Sequence, residues 1–446
     1  MRNLSAASVL VWMLMGGSAT AHFGQPLVKE VRFPVSRGGE AWLVIDNVGL
    51  LARAPGQTGW RWLCDEAMTP VPGLDSVAPI DAEGRRWLAG ARSGLFITAD
   101  DGCAFTRPVD DPFAEHVVPL VSPAPGSANE AIVGTQTLGR PNDVFRTTDG
   151  GLTWSAAGLA LDGRVRTLVR ATADPRVVYV GHTHGALRSD DGGLTFTPVA
   201  LGPPELAIEG ESFRFLGTHP ADARDVFAAI DAFPDSTVLR STDGGLTWAE
   251  VTRLGDVPET LAFLPDGRGA ILSTPFDGLH RSRDGGATWA RVPSPATAVL
   301  GCLTVEPATG RLWACARGVS ADWRVGSSGD EGETWLSELG GFGEITARWA
   351  CPAESPTAMA CAQACDRSAD ASCGQVPADA GASAPDAAAP SGARDAAVDH
   401  DAIATPEADR GASRSGGCTV PLEGAPAPWL LLIGAIGGWV RRRSRS

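Results

Sequence analysis

The sequence predicts an all-β fold, a seven-bladed β-propeller; six or eight blades also fit the count. Three observations carry this. One short motif recurs through the middle of the chain about every forty to fifty residues, the length of four short strands with their turns. The chain is rich in turn formers, with 54 Gly and 33 Pro among 446 residues. Hydrophobic residues make up 43% and charged residues 20%, enough for a core and too apolar for wholesale disorder. The net charge of -15 excludes a general nucleic-acid binder, which needs a basic footprint.

Residues 1–21 read as a signal peptide. Arg2 gives the positive start, an apolar run follows, and Ala19-Thr20-Ala21 is a small-residue cleavage site. Export places the mature chain where disulfides form.

Residues 22–342 carry the repeat. Four segments nearly superimpose, those around Asp149, Asp191, Asp243 and Asp284, each a Ser or Thr, then Asp-Gly-Gly, then Thr and a closing aromatic. Asp330 centres a fifth copy and Asp100 a degenerate sixth; residues 53–62 keep only an outline, with Gly59 and Trp62 but no Asp. The closing aromatics are Trp62, Phe105, Trp154, Phe196, Trp248, Trp289 and Trp335. The chemistry is that of a fold device. The Asp accepts hydrogen bonds from its own loop, the glycines permit positive φ, and the aromatic packs between neighbouring sheets. One unit shows the expected strands, at 165–171, 177–181, 186–189 and 194–199.

These segments resemble the Asp-box (BNR) repeat of sialidases, xyloglucanases, sortilin-type receptors and photosystem II stability-factor-like propellers. The resemblance covers residues 25–340 and implies the propeller. It leaves function open, because those relatives include hydrolases, binding proteins and an assembly factor.

The enzyme readings are tested against single residues. A sialidase needs an Arg triad and a Tyr nucleophile. Arg32-Phe33-Pro34 echoes the family's first-Arg motif, but Tyr179 is the only tyrosine and sits in an inner strand, where it reads as packing. A xyloglucanase-like site needs two carboxylates across a cleft. Asp231, Asp235 and Asp277 are candidates, yet such enzymes usually use two propellers and this chain has one. The favoured reading is non-catalytic: a binding or scaffold protein using one propeller face, with no cofactor or metal and a surface ligand, protein or glycan, left unidentified; the alternatives are a sialidase- or xyloglucanase-like glycoside hydrolase and, by resemblance to the photosystem II stability-factor propellers, an envelope assembly factor. The candidate binding face holds His182, His184, Asp231, Phe233 and Asp277: the two histidines fall on a second-to-third-strand connection, and residues 201–212 and 231–235 read as longer loops on the same face. His182 and His184 are the only close His pair and could hold a metal if a third ligand came from a neighbouring loop.

Nine cysteines follow the export reading. Cys302 and Cys315 fall on one hairpin and are expected to pair. Cys351, Cys361, Cys365 and Cys373 crowd residues 343–373, expected as a disulfide-stapled closure hairpin: either part of an eighth blade or a closure of the first. Cys64 and Cys103 remain as the last pair.

Residues 374–417, mostly Ala, Asp, Gly, Pro and Ser, hold no aromatic and are expected to stay disordered as a tether. In residues 418–446, Cys418 is followed by a short apolar stretch, expected as a hydrophobic helix, and then by Arg441, Arg442, Arg443 and Arg445. Together with Gly417 this resembles the myxobacterial C-terminal sorting tag (MYXO-CTERM). The resemblance implies retention of a monomeric head at the cell surface, anchored in the membrane through the tag.

Overall fold

The computed structural model describes residues 26–203, 208, 210–232, 235–293, 299–317 and 322–367. The signal peptide, the tether, the sorting tag with Cys418, Cys373 and Phe233 lie outside these residues.

The described chain forms seven sheets in sequence order, a seven-bladed β-propeller. Sheet 1 spans residues 28–64, sheet 2 residues 74–98, sheet 3 residues 120–156, sheet 4 residues 165–198, sheet 5 residues 213–254, sheet 6 residues 260–291 and sheet 7 residues 299–339. Within each, consecutive strands pair antiparallel as a meander. Sheet 2 has three strands, with a single bridge from Ile97 to Thr106 where a fourth would lie. The first strand of each sheet touches the first strand of the next, and Val299–Val305 of sheet 7 touches Val28–Arg32 of sheet 1, so the ring closes around these strands. Apolar clusters fill the gaps between sheets. Val177, Tyr179, Phe213, Phe215, Leu239 and Trp248, for example, join sheets 4 and 5.

The closing aromatics sit in these gaps. Trp154 packs with Leu88 and Ile97 of sheet 2, Phe196 with Ile132 of sheet 3, and Trp335 with Leu279 of sheet 6. Burying one such ring removes on the order of 150–250 Å² from water. The repeat therefore lies at the joints between blades.

The end of the ring differs from expectation. The closure hairpin is instead one strand and one helix. Ile345–Arg348 adds to the outer edge of sheet 1, parallel to Trp60–Cys64, so the closure is of the first blade. The helix Pro356–Arg367 follows. Its Ala-rich sequence and Pro at the first turn favour helix, which outweighs the strand reading. The cysteine pairing also differs: Cys64 bonds Cys361 and Cys103 bonds Cys351, while Cys302–Cys315 is as expected. Cys64 and Cys103 belong to adjacent sheets that the returning C-terminal segment covers, so each meets a partner from that segment. Trp349 completes the cover, edge-on to both Trp42 and Trp87, with its indole N–H donated to Asp101 O at 2.6 Å. The disulfides indicate maturation in an oxidising, extracellular-type environment.

Candidate functional site

The six aspartate turns share one geometry. In sheet 5, Ser241 Oγ donates to Asp243 Oδ1 at 2.7 Å and accepts from Gly245 N at 2.7 Å. Thr247 N donates to Asp243 Oδ1 at 2.9 Å and Thr247 Oγ1 donates to Oδ2 at 2.6 Å. The same network surrounds Asp149, Asp191, Asp284 and Asp330, and a shorter version surrounds Asp100. The Thr hydroxyl first, then the backbone N–H, holds Asp243, Asp284 and Asp330 down to about 2. In the five full turns both carboxylate oxygens are thus engaged within the turn itself, while Asp100 is held through Oδ1.

The two residues after each Asp have separate roles. The first takes φ of 59–83° and is Gly four times, but Asp101 in sheet 2 and Glu331 in sheet 7. The second takes φ of 84–92° and is always Gly. A Cβ there would reach the preceding sheet: 2.7 Å from Leu88 at Gly151, 2.5 Å from Phe227 at Gly286 and 2.5 Å from Leu279 at Gly332. This glycine lets each turn lie against its neighbouring blade.

The opposite face carries the connections between second and third strands. His182 ends the strand Val178–His182, half-buried, and its Nδ1 accepts from His184 N at 3.4 Å. Burial first, then the neighbouring His184, holds the His182 imidazole below its ordinary value. Asp231 is held by Arg214, with Nε to Oδ2 at 2.9 Å and Nη2 to Oδ1 at 3.1 Å. Asp277 accepts from His280 Nε2 at 3.0 Å and lies 3.5 Å from Arg291 Nε. Asp235 lies in the same sheet-5 connection. Among the described residues no group of three or more His, Cys, Asp or Glu is placed to hold a metal. The predicted residues thus share a face but occupy three successive sheets, each tied to local partners.

Sequence reasoning missed Phe276. It stands in the sheet 6 connection, the counterpart of the one holding Phe233, and is 82% exposed. Its turn is braced: Phe276 N donates to Asp256 Oδ2 and Asp277 N donates to Thr274 Oγ1 at 3.1 Å. The signal was an aromatic between Pro275 and Asp277 at the position where each sheet turns towards this face.

At the centre of the ring, first strands of sheets 1–4 line a polar pocket of about 320 Å³. Lys29 pairs there with Asp75 at 2.6 Å and Asp46 at 2.9 Å, and Glu30 pairs with Arg32 and accepts from Ser76 Oγ at 3.0 Å. Among the lining residues the two cations, Lys29 and Arg32, match the two carboxylates, Glu30 and Asp75. Tyr179 is fully buried in sheet 4, donates its hydroxyl to Ala223 O at 2.9 Å, and is pushed up to about 12 by burial. It is a packing residue with no route to a substrate.

No family model and no curated protein matches the chain. Solved structures do. An ancestral GH74 enzyme matches at 14% identity over 70% of this chain and 46% of its own, with TM-score 0.57. The GH74 xyloglucanase from Xanthomonas campestris matches at 18% identity over 71% of this chain and 55% of its own, with TM-score 0.53. YCF48 from Cyanidioschyzon merolae matches at 16% identity over 66% of this chain and 94% of its own, with TM-score 0.48. The chain spans about half the length of the GH74 enzymes it matches. At these identities the likeness is one of fold.

Proposed function

We propose that this propeller is a non-catalytic binding or scaffold protein. It presents the face of second-to-third-strand connections to a ligand at the cell surface, where residues 418–446 would retain it. The observation that carries the reading is the contrast on that face between its carboxylates and its aromatic. Asp231 is committed to Arg214 and Asp277 to His280 and Arg291, while Phe276 projects from a braced turn. Committed carboxylates serve architecture; an exposed ring on a rigid turn is the usual anchor of a recognition surface.

The test uses the full chain with its disulfides formed. Binding to a glycan array and to purified envelope proteins is measured beside release from sialosides, xyloglucan and β-glucans. Binding that falls at least tenfold in Phe276→Ser, with no release above background, is expected. Release that disappears in Asp231→Asn or Asp277→Asn would overturn the reading in favour of a glycoside hydrolase.

A further inference from the structure

Strand pairing fixes which residues are equivalent from sheet to sheet. In each sheet with an aspartate turn, the turn's Ser or Thr faces one residue of the second strand, which in turn faces one residue of the first. That first-strand residue is Pro79, Pro123, Thr218, Phe263 and Val305 in sheets 2, 3, 5, 6 and 7. In sheet 4 it is Arg170. One inner strand thus places a charge where the others place apolar or small neutral residues.

The residue before the turn's Ser or Thr is Arg in sheets 3 to 6: Arg146, Arg188, Arg240 and Arg281. Three of these are closely neutralised. Arg188 pairs with Asp190, Arg240 donates to both oxygens of Asp225 at 2.8 and 2.6 Å, and Arg281 lies 2.9 Å from Glu331 and 3.0 Å from Glu333. Arg146 is the exception, reaching Glu130 alone, through Nη2 at 3.4 Å.

Arg146 and Arg170 share the joint between sheets 3 and 4. Arg146 faces sheet 4, its Nε 3.8 Å from where a Cβ on Gly192 would stand. Burial pushes the Arg170 guanidinium down to about 10; the charge of Glu130 opposes this and that of Arg146 adds to it. Among the described residues Arg170 makes no hydrogen bond or ion pair. Its Nε is buried, as is that of Arg146, whereas Nη1 and Nη2 of Arg170 reach the surface unpaired. The joint therefore sets two guanidinium groups against one carboxylate, in a chain whose net charge is -15. A half-buried charge without a counter-charge is costly, so an anion that supplies one is favoured there.

We propose that the joint between sheets 3 and 4 binds a single carboxylate group, held on Nη1 and Nη2 of Arg170 beside Arg146. The planar fork of a guanidinium matches a carboxylate with two parallel hydrogen bonds. A carboxylate brings the one negative charge that balances the joint. A phosphate monoester brings nearly two and overshoots beside Glu130. The site lies on the face of the aspartate turns, opposite to Phe276, and stands independently of the reading of that other face.

Saturation-transfer NMR on the full chain with its disulfides formed tests this. Acetate and methyl phosphate are each read through their methyl protons at about pH 8, where the phosphate is doubly charged, with ionic strength held constant. The expected result is saturable acetate binding at millimolar concentration, at least about threefold tighter than methyl phosphate. Arg170→Gln should abolish it. Glu130→Gln removes the competing carboxylate and leaves Arg170 in place. It should tighten acetate and raise methyl phosphate to at least the affinity of acetate, a reversal that a folding defect does not produce. Phe276→Ser should change neither. An acetylated peptide with a free C-terminal carboxylate, titrated alongside, separates the two sources of this chemistry: tighter binding than acetate assigns a chain end, equal binding a free organic acid. Acetate transfer that persists in Arg170→Gln, methyl phosphate as tight as acetate on the unaltered chain, an unchanged order in Glu130→Gln, or no saturable transfer would each overturn the proposal.

Discussion

Gly286→Ala and Gly285→Ala add the same methyl to neighbouring residues of one turn, and the structure assigns them different costs. Both positions have positive φ, 71° at Gly285 and 87° at Gly286. Placing alanine in left-handed backbone costs roughly 1–2 kcal/mol. At Gly285 nothing else is added, because the nearest neighbour of a new Cβ is His219 Nε2 at 3.6 Å, an ordinary contact. At Gly286 the Cβ would stand 2.5 Å from the Phe227 ring. That ring is fully buried, with Phe263 at 5.6 Å and Arg240 at 5.3 Å on its flanks, so it has little room to yield. Overpacking of this kind adds roughly 1–3 kcal/mol. Gly286→Ala should therefore cost about 2–5 kcal/mol and Gly285→Ala about 1–2 kcal/mol. Gly285→Asn should cost less still, since Asn visits this backbone readily and Asp101 and Glu331 occupy the equivalent place natively. The assay is equilibrium urea unfolding followed by tryptophan fluorescence with disulfides intact. If Gly285→Ala proved as costly as Gly286→Ala, the idea that the second glycine seats the turn on its neighbour would be wrong.

Acid unfolding should report the turns as a group. Asp243, Asp284 and Asp330 are held at about 2 in the fold against 3.8 for the free group. Their folded values are depressed, so their contribution is complete above about pH 4 and disappears as pH falls towards 2. Replacing Thr247, Thr288 and Thr334 together by Val should move the acid midpoint, read by far-UV circular dichroism, to higher pH; an unmoved midpoint counts against the network. Removing the Cys64–Cys361 disulfide, which spans 297 residues, should lower stability by about 2–5 kcal/mol. Removing Cys302–Cys315, which spans 13 residues, should lower it less; the reverse order in urea unfolding would refute loop closure as the cause. Tyr179→Phe leaves Ala223 O without its donor and should cost about 1–3 kcal/mol. It should leave any sialoside release unchanged, and a selective loss of release would restore the sialidase reading.

Much of the fold was legible because the repeat is local. A Ser or Thr, an Asp and a Gly within five residues build their own turn, so each copy marks a blade wherever it occurs, and seven outlines gave seven sheets. What escaped was long-range. Whether Cys64 meets Cys103 or Cys361 depends on where the chain returns after closing the ring, which no local pattern encodes. The helix Pro356–Arg367 was locally encoded but masked by its cysteines, which drew a disulfide-knot reading. The candidate residues fall on connections between strands, yet the partners of Asp231 and Asp277 come from Arg214, His280 and Arg291, whose proximity only the register of the strands decides.

The covalent links from Cys351 and Cys361 into sheets 2 and 1 also determine how the molecule carries mechanical load. Tension that reaches Cys361 from the C-terminal direction passes through sulfur into Cys64 of sheet 1. The strand Ile345–Arg348 lies inside that clamp, shielded from being peeled off sheet 1. Reducing agents should therefore lower the force needed to peel this strand away, in addition to the loss of equilibrium stability expected for the Cys64–Cys361 link.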